Sequence, residues 1–407
     1  MLSIYPATIT LGAALLTLGL SACGTLSKQQ IDTPDSLRQE GANPGDLRAQ
    51  VDALAQPLID RKRTPGIVIG VLSADGRKQV FGYGVSDFLS GTRPDGETLF
   101  AVGSLSKGLV GNLTAMLVQD GLLGWDDDLE QLLPVGTPLS EDARAITLLQ
   151  LATHSAGLPR QPMTPRTLGY FIEYLFTGNS FYRHFDQAYL LDYLADFSKP
   201  RQVAPQYSNI GYALLSHVLE LRSGKNIDEL AAERILDPLQ LSNTSYQPQQ
   251  LAGYAERARG HAGDQPKFVR RGRPVPDWQF SDILHGSAAL YSNADDLLDY
   301  AAAHLHGSGD AQRDAALRDS LRVRLERPRE APAIAWMVDT IHGQRLTYQV
   351  GLVAGYSSYL GLDTRHKTAV VVLQNSFNWS NGIGHRLLLR MAHNLDRQRE
   401  LASVPTP

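Results

Sequence analysis

Both ends of the chain carry apolar residues in strand-like runs, and the long middle carries them at helical spacing. The stretch LRAQVDALAQPLIDRK, from Leu47, sets apolar positions three and four apart and predicts a helix. GIVIGVLSADGRKQVFGYGVSD follows, with two β-rich runs around Asp75–Gly76, the signature of a hairpin. The pattern returns near the C-terminus. IAWMVDTIHGQRLTYQVG predicts a hairpin around His342–Gly343, and YSSYLGLDTRHKTAVVVLQNS a second one turning near Asp363–Lys367. GHRLLLRMAHNLDRQ predicts a closing helix. The two ends are therefore expected to build one antiparallel sheet with flanking helices, an α+β arrangement with a mainly helical region inserted. No internal repeat interrupts this. The arginine-rich RDAALRDSLRVRLERPRE predicts a solvated helix face.

Composition narrows the function. The formal net charge of the 407 residues is −4, so no basic field invites nucleic acid. His304 and His306 flank Leu305, but no zinc-type Cys/His spacing surrounds them, and no metal or organic cofactor is expected. The one cysteine, Cys23, ends the apolar stretch ITLGAALLTLGLSAC, which is too short for a comfortable membrane span and reads as a secretory signal. Leu20–Ser21–Ala22–Cys23 resembles a bacterial lipobox, although MLSIYPAT before it has no Lys or Arg. That resemblance implies lipidation of Cys23 and a membrane anchor in the periplasm. With Gly24 next, it implies sorting to the outer membrane. The polar residues from Thr25 to about Gly45 read as a tether.

Three stretches carry chemistry. In AVGSLSKGLV, Ser104 precedes a helical pattern made by Leu109, Leu113, Met116 and Leu117, with Gly121 able to end it. A helix N-terminus favours negative charge, and Lys107 stands one turn later on the same face. A serine hydroxyl needs a base before it attacks, and a lysine buried enough to lose its proton can be that base. In isolation, the same residues make a helix cap beside a solvated lysine. PQYSNIGYALLSHVLE sets Tyr207 and Asn209 just before a helix, where a phenol can relay a proton and an amide can donate to a carbonyl. VGLVAGYSSYLGLD is a glycine-rich strand that can offer a backbone amide to an oxyanion.

In that order and at those separations, the three stretches resemble the serine β-lactamase and penicillin-binding-protein superfamily, specifically its class C-like serine hydrolase branch. LFAVGSLSKGLVGNLTAMLVQDGLLGWDD, ITLLQLATHSAGLP and HGSAALYSNADDLLDY extend the likeness across about Leu47 to Leu389. It implies a β-lactamase/transpeptidase-like fold. The implied organisation is a signal over 1–22, a tether over 23–46, a hydrolase domain over 47–395 and a tail over 396–407. Within the domain, the sheet region would cover about 47–95 and 290–395, and the helical region about 96–289. The resemblance also implies site roles. Ser104 would be the acylated nucleophile and Lys107 the residue that helps deprotonate it. Tyr207 would be the general base that later protonates the leaving group, and Asn209 would orient the substrate amide. The amides of Ser104 and Leu352 would form the oxyanion hole. Gln349–Val350–Gly351 would occupy the third motif, with Gln349 and Gly351 contacting substrate.

Gln349 is a departure, because the family has Lys or His there. Gln349 cannot carry the cation that steers a substrate carboxylate, and a lost charge-assisted contact costs about 1.5–3 kcal/mol. Penicillins and peptidoglycan D-Ala termini both carry that carboxylate, so an ester becomes a competing substrate. The expected activity is that of a serine hydrolase on a cell-wall D-Ala peptide or a β-lactam. The alternatives are a carboxylesterase on the same site, or a penicillin- or muropeptide-binding sensor without turnover. Arg365 and Lys367 read as turn residues. Tyr170, Phe171, Tyr174, Phe176, Phe181 and Tyr182 either pack an inserted helical pair onto the core or line the rim of the site. His154, His285 and Trp278 are further rim candidates.

Overall fold

The computed structural model describes residues 41, 46–162, 164–201, 204–379 and 382–403. Cys23, the signal and nearly all of the tether lie outside them. Strands are numbered in chain order, β3 (Phe100–Ala101) and β4 (Tyr291–Ser292) forming a separate two-stranded pair, and helices of eight or more residues are numbered likewise.

The chain opens with α1 (Leu47–Asp60), capped by the Asp46 carboxylate accepting from the Ala49 amide. Strands β1 (Gly66–Leu72) and β2 (Lys78–Gly84) then form the first expected hairpin, with Gly70 opposite Val80. The C-terminal hairpins are β6 (Met337–Ile341) with β7 (Gln344–Val353), and β8 (Tyr356–Asp363) with β9 (Thr368–Gln374). β9 pairs with β1, so chain ends far apart in sequence close one seven-stranded sheet, ordered β2-β1-β9-β8-β7-β6-β5, with β5 at Ala331–Pro332. Every neighbouring pair is antiparallel.

The sheet is covered on both sides, which explains its nearly continuous apolar strands. In β9, Val370 and Val372 face one core with Val51 and Ala55 of α1 and Leu387 and Leu388 of the closing helix α8 (Ile383–Ser403). Val371 and Leu373 face the opposite core. That core receives α2 (Ser106–Gln119), α5 (Asn209–Ser223) and α6 (Ala294–His306). The helix after Ser104 is thus confirmed, but it is not amphipathic. Residues 106–117 are all buried, because the sheet lies on one side and the helical region on the other. The helical region includes α3 (Pro165–Thr177) and α4 (Gln187–Ala195). In the arginine-rich stretch, α7 covers only Ala311–Ser320 and turns Ala316 and Leu317 inward. No helix among the described residues is long and apolar enough to cross a membrane.

Candidate active site

Ser104 lies in a single 3-10 turn (Gly103–Leu105) that leads directly into α2. Gly103 has φ of 55°, in the left-handed region that favours glycine, and this aims Ser104 out of the core. The turn is pressed against β7. A Cβ added to Gly103 would meet the Leu352 nitrogen at 3.2 Å, and one added to Gly351 would meet the Ser104 nitrogen at 3.0 Å and the Val102 oxygen at 2.0 Å. Two glycines therefore let the backbones carrying the Ser104 and Leu352 amides approach side by side, as an oxyanion hole requires.

Lys107 is buried, and its Nζ lies 2.6 Å from the Ser287 carbonyl oxygen, 2.9 Å from Asn209 Oδ1 and 3.2 Å from Ser104 Oγ. Burial, and secondarily the charge of Arg160, hold its pKa well below the ordinary lysine value. A neutral amine has two N–H donors and one lone pair. The two oxygens take the donors, so the lone pair is left for the serine hydroxyl.

Tyr207 and Asn209 arrive on the start of α5, which Ser208 caps. The Ser208 hydroxyl accepts from the Gly211 amide and donates to the Pro159 carbonyl. The loop at 154–160 fixes this segment further. His154 Nδ1 accepts from the Ser208 amide at 3.1 Å, and the Arg160 carbonyl accepts from the Asn209 amide at 3.1 Å. The Tyr207 hydroxyl is buried beside Ser104 but completes no hydrogen bond of ordinary geometry. Its ring lies between Lys107 Nζ, 4.8 Å from its centroid, and the Arg160 guanidinium, 4.7 Å from it. Burial pushes its pKa up to about 12, while Arg160 and then Ser104 pull in the opposite sense. The phenol is therefore protonated at neutral pH. In this arrangement a neutral Lys107 amine could take the Ser104 proton and the Tyr207 phenol could supply one.

Asn209 is engaged at both ends, because its Nδ2 donates to the Tyr182 hydroxyl at 2.7 Å, which in turn donates to Gln161 Oε1 at 3.2 Å. Ser104, Asn209 and Leu352 line one cleft, together with Arg160 and Gln161. Phe171, Tyr174, Phe181, Tyr182 and Trp278 form its wall, with Phe377 and Trp379 also lining it. Trp278 meets Tyr174 edge-on at 5.4 Å and Phe181 at 5.6 Å, and its Nε1 donates to the Gly178 carbonyl. The aromatic stretch thus lines the site as well as packing it, although Tyr170 stacks on His184 and Phe176 on Phe268 outside the cleft.

Gln349 is a correction. It was expected to touch substrate, yet it is 2 % exposed and absent from the cleft lining. It shares a strand face with Gly351 but sits two residues back, under α2. Its amide fills the space that Gly108 leaves open, where an added Cβ would lie 2.5 Å from Nε2. Neither end of that amide has a hydrogen-bond partner. His285 is outside the cleft as well, 3.8 Å from the Asp228 carboxylate, which raises its pKa. Arg365 pairs with Asp396, and Lys367 lies in the β8–β9 turn. The His154 ring lies tilted 4.5 Å from that of Tyr207, and burial holds its pKa well below the ordinary histidine value. Sequence reasoning missed Arg160 and Gln161 altogether.

The geometry brings together a serine hydroxyl, a buried lysine, a phenol and two backbone amides held side by side. The profile of the Beta-lactamase family matches residues 51–392, and the chain belongs to that family. It is 26% identical over 367 residues to Unguisins hydrolase ungD' of Aspergillus campestris (strain IBT 28561), covering 84% of this chain and 64% of that protein. It is 30% identical over 215 residues to a Beta-lactamase of Pseudomonas fluorescens, covering 52% of this chain and 54% of that one. The alignments thus span less than two thirds of either relative. Among solved structures, a D-alanine carboxypeptidase AmpC from Burkholderia cenocepacia superimposes with a TM-score of 0.68 at 21% identity, over 85% of this chain and 99% of that one. This last likeness confirms the β-lactamase/transpeptidase-like fold.

Proposed function

We propose that this protein is a lipid-anchored periplasmic hydrolase that works through an acyl-enzyme on Ser104, with a cell-wall peptide ending in D-Ala or a β-lactam as acyl donor. The observation that carries the chemistry is the buried Lys107 Nζ, 3.2 Å from Ser104 Oγ with its two other partners both acceptors. The Ser104 oxygen attacks the carbonyl carbon as its proton passes to Nζ. The Ser104 and Leu352 amides stabilise the resulting oxyanion. When the carbon–leaving-group bond breaks, Tyr207 gives its proton to the departing atom and recovers one from Nζ. Water then attacks the ester and restores Ser104. A donor with a D-Ala or β-lactam carbonyl is in keeping with the likeness to a Beta-lactamase and to a D-alanine carboxypeptidase. The anchor and location rest on the run ending Leu20–Ser21–Ala22–Cys23.

Intact-mass measurement after exposure to a penicillin tests the activity. The expected result is one added acyl group, lost with time and never gained by Ser104→Ala. A stable adduct would instead favour a sensor. Absence of any adduct, together with no hydrolysis of p-nitrophenyl acyl esters, would overturn the reading. Palmitate incorporation that Cys23→Ala abolishes would support the anchor; incorporation that the variant retains would refute it.

A further inference from the structure

The third motif leaves this site without its expected cation, and a different residue stands where a cation is needed. Gln349 is neutral and points under α2, away from the cleft. Lys107 is buried, and its Nζ is already engaged by Ser104, Asn209 and the Ser287 carbonyl, so it is not free to meet a ligand carboxylate. Among the residues lining the cleft, Arg160 alone is cationic. Its guanidinium covers the Tyr207 ring at 4.7 Å, and no carboxylate pairs with it among the described residues. Other arginines differ in this respect. Arg63 and Arg271 share Asp264, and Arg257 is paired with Asp277. An unpaired guanidinium at a half-buried position is set to receive an anion, and its planar fork suits a carboxylate.

Position settles which part of the substrate would meet it. Tyr207 delivers the proton to the leaving group, so a charge lying on the Tyr207 ring faces what departs. The aromatic wall of Phe171, Phe181 and Trp278 offers the apolar surface on which an acyl side chain can pack. We propose that Arg160 replaces the missing third-motif cation, and that the site selects acyl donors whose leaving group bears a carboxylate close to the scissile bond. The inference rests on the acyl-transfer reading above. Its sequence signal is a bare arginine in GLPRQP, and the fold is what brings it to the tyrosine.

Two phenylacetyl esters test it, one of phenol and one of 3-hydroxybenzoic acid, which differ only by a carboxylate on the leaving group. The parent should favour the carboxylated ester in kcat/KM by roughly 10- to 100-fold. Arg160→Gln should abolish that ratio while slowing the neutral ester by a smaller factor, and Arg160→Lys should restore part of it. Equal rates for both esters in the parent would overturn the assignment whatever the variants do, and so would a ratio that survives Arg160→Gln. If Arg160→Gln fails to fold, the parent ratio and its reduction in Arg160→Lys decide. A parent that hydrolyses neither ester would refute the acyl-transfer reading itself, a result distinct from equal hydrolysis of both.

Discussion

Replacing Gln349 by Met separates the structural account from the family pattern. The Gln349 side chain is 2 % exposed, and both its oxygen and its nitrogen lack a partner. The cavity it lines is walled mostly by leucines, among them Leu105, Leu109, Leu290, Leu297 and Leu360, and although Thr244, Asp296 and Tyr300 also line it, none of them hydrogen-bonds the amide. Each polar group buried without a partner costs about 1–3 kcal/mol. Methionine has the same length and no such groups, so the exchange should stabilise the fold by about 2 kcal/mol. In a domain of this size that corresponds to a rise in Tm of about 2–5 °C. Because the side chain does not line the cleft, kcat/KM for an acyl ester should stay within about threefold of the parent, equivalent to less than 1 kcal/mol. Thermal melting and steady-state kinetics on one preparation read both effects. A tenfold loss of kcat/KM with unchanged Tm would refute the reasoning and return Gln349 to the substrate site.

Three further outcomes follow from the same geometry. Gly351→Ala would place a Cβ 2.0 Å from the Val102 oxygen and 3.0 Å from the Ser104 nitrogen, forcing β7 away from the nucleophile. Steady-state kinetics should show kcat lower by about 100-fold, with a smaller change in KM. Tyr182→Phe removes the acceptor of Asn209 Nδ2, and kinetics should show kcat/KM reduced about tenfold, with a loss of about 1 kcal/mol by chemical denaturation. In the pH–rate profile, activity requires the free Lys107 amine and the protonated Tyr207. The rate should rise with pH through the depressed Lys107 pKa, level off well below 10.5, and fall only near the Tyr207 pKa of about 12. An acidic limb centred near 10.5 would contradict this.

Much of the fold was legible because it is local. Asp75–Gly76 and His342–Gly343 mark their own hairpins, and strands cut from both ends of a chain can meet in one sheet. Ser104 and Lys107 are one helical turn apart, so their adjacency could be read directly. Other features depend on long-range contacts. The loop bearing Arg160 has no periodicity, and only its hydrogen bonds to residues 206–209 bring it over Tyr207. The aromatic residues of α3 and the 181–185 segment have the same composition whether they pack or line a cleft. Their role became visible only when Trp278, about a hundred residues on, closed the wall. Gln349 misled for a different reason. A motif position specifies the strand and the face, but Gly108 on the neighbouring helix decides which way a long side chain turns.

The central claim is that Lys107 rests as an amine whose lone pair faces Ser104. Nitrogen-15 NMR of the lysine Nζ groups, assigned by comparison with Lys107→Met and followed against pH, tests it most directly. The expected result is a Lys107 Nζ that is neutral at pH 7 and titrates well below 10.5. An Nζ that remains an ammonium at pH 7 and titrates near 10.5 would contradict it.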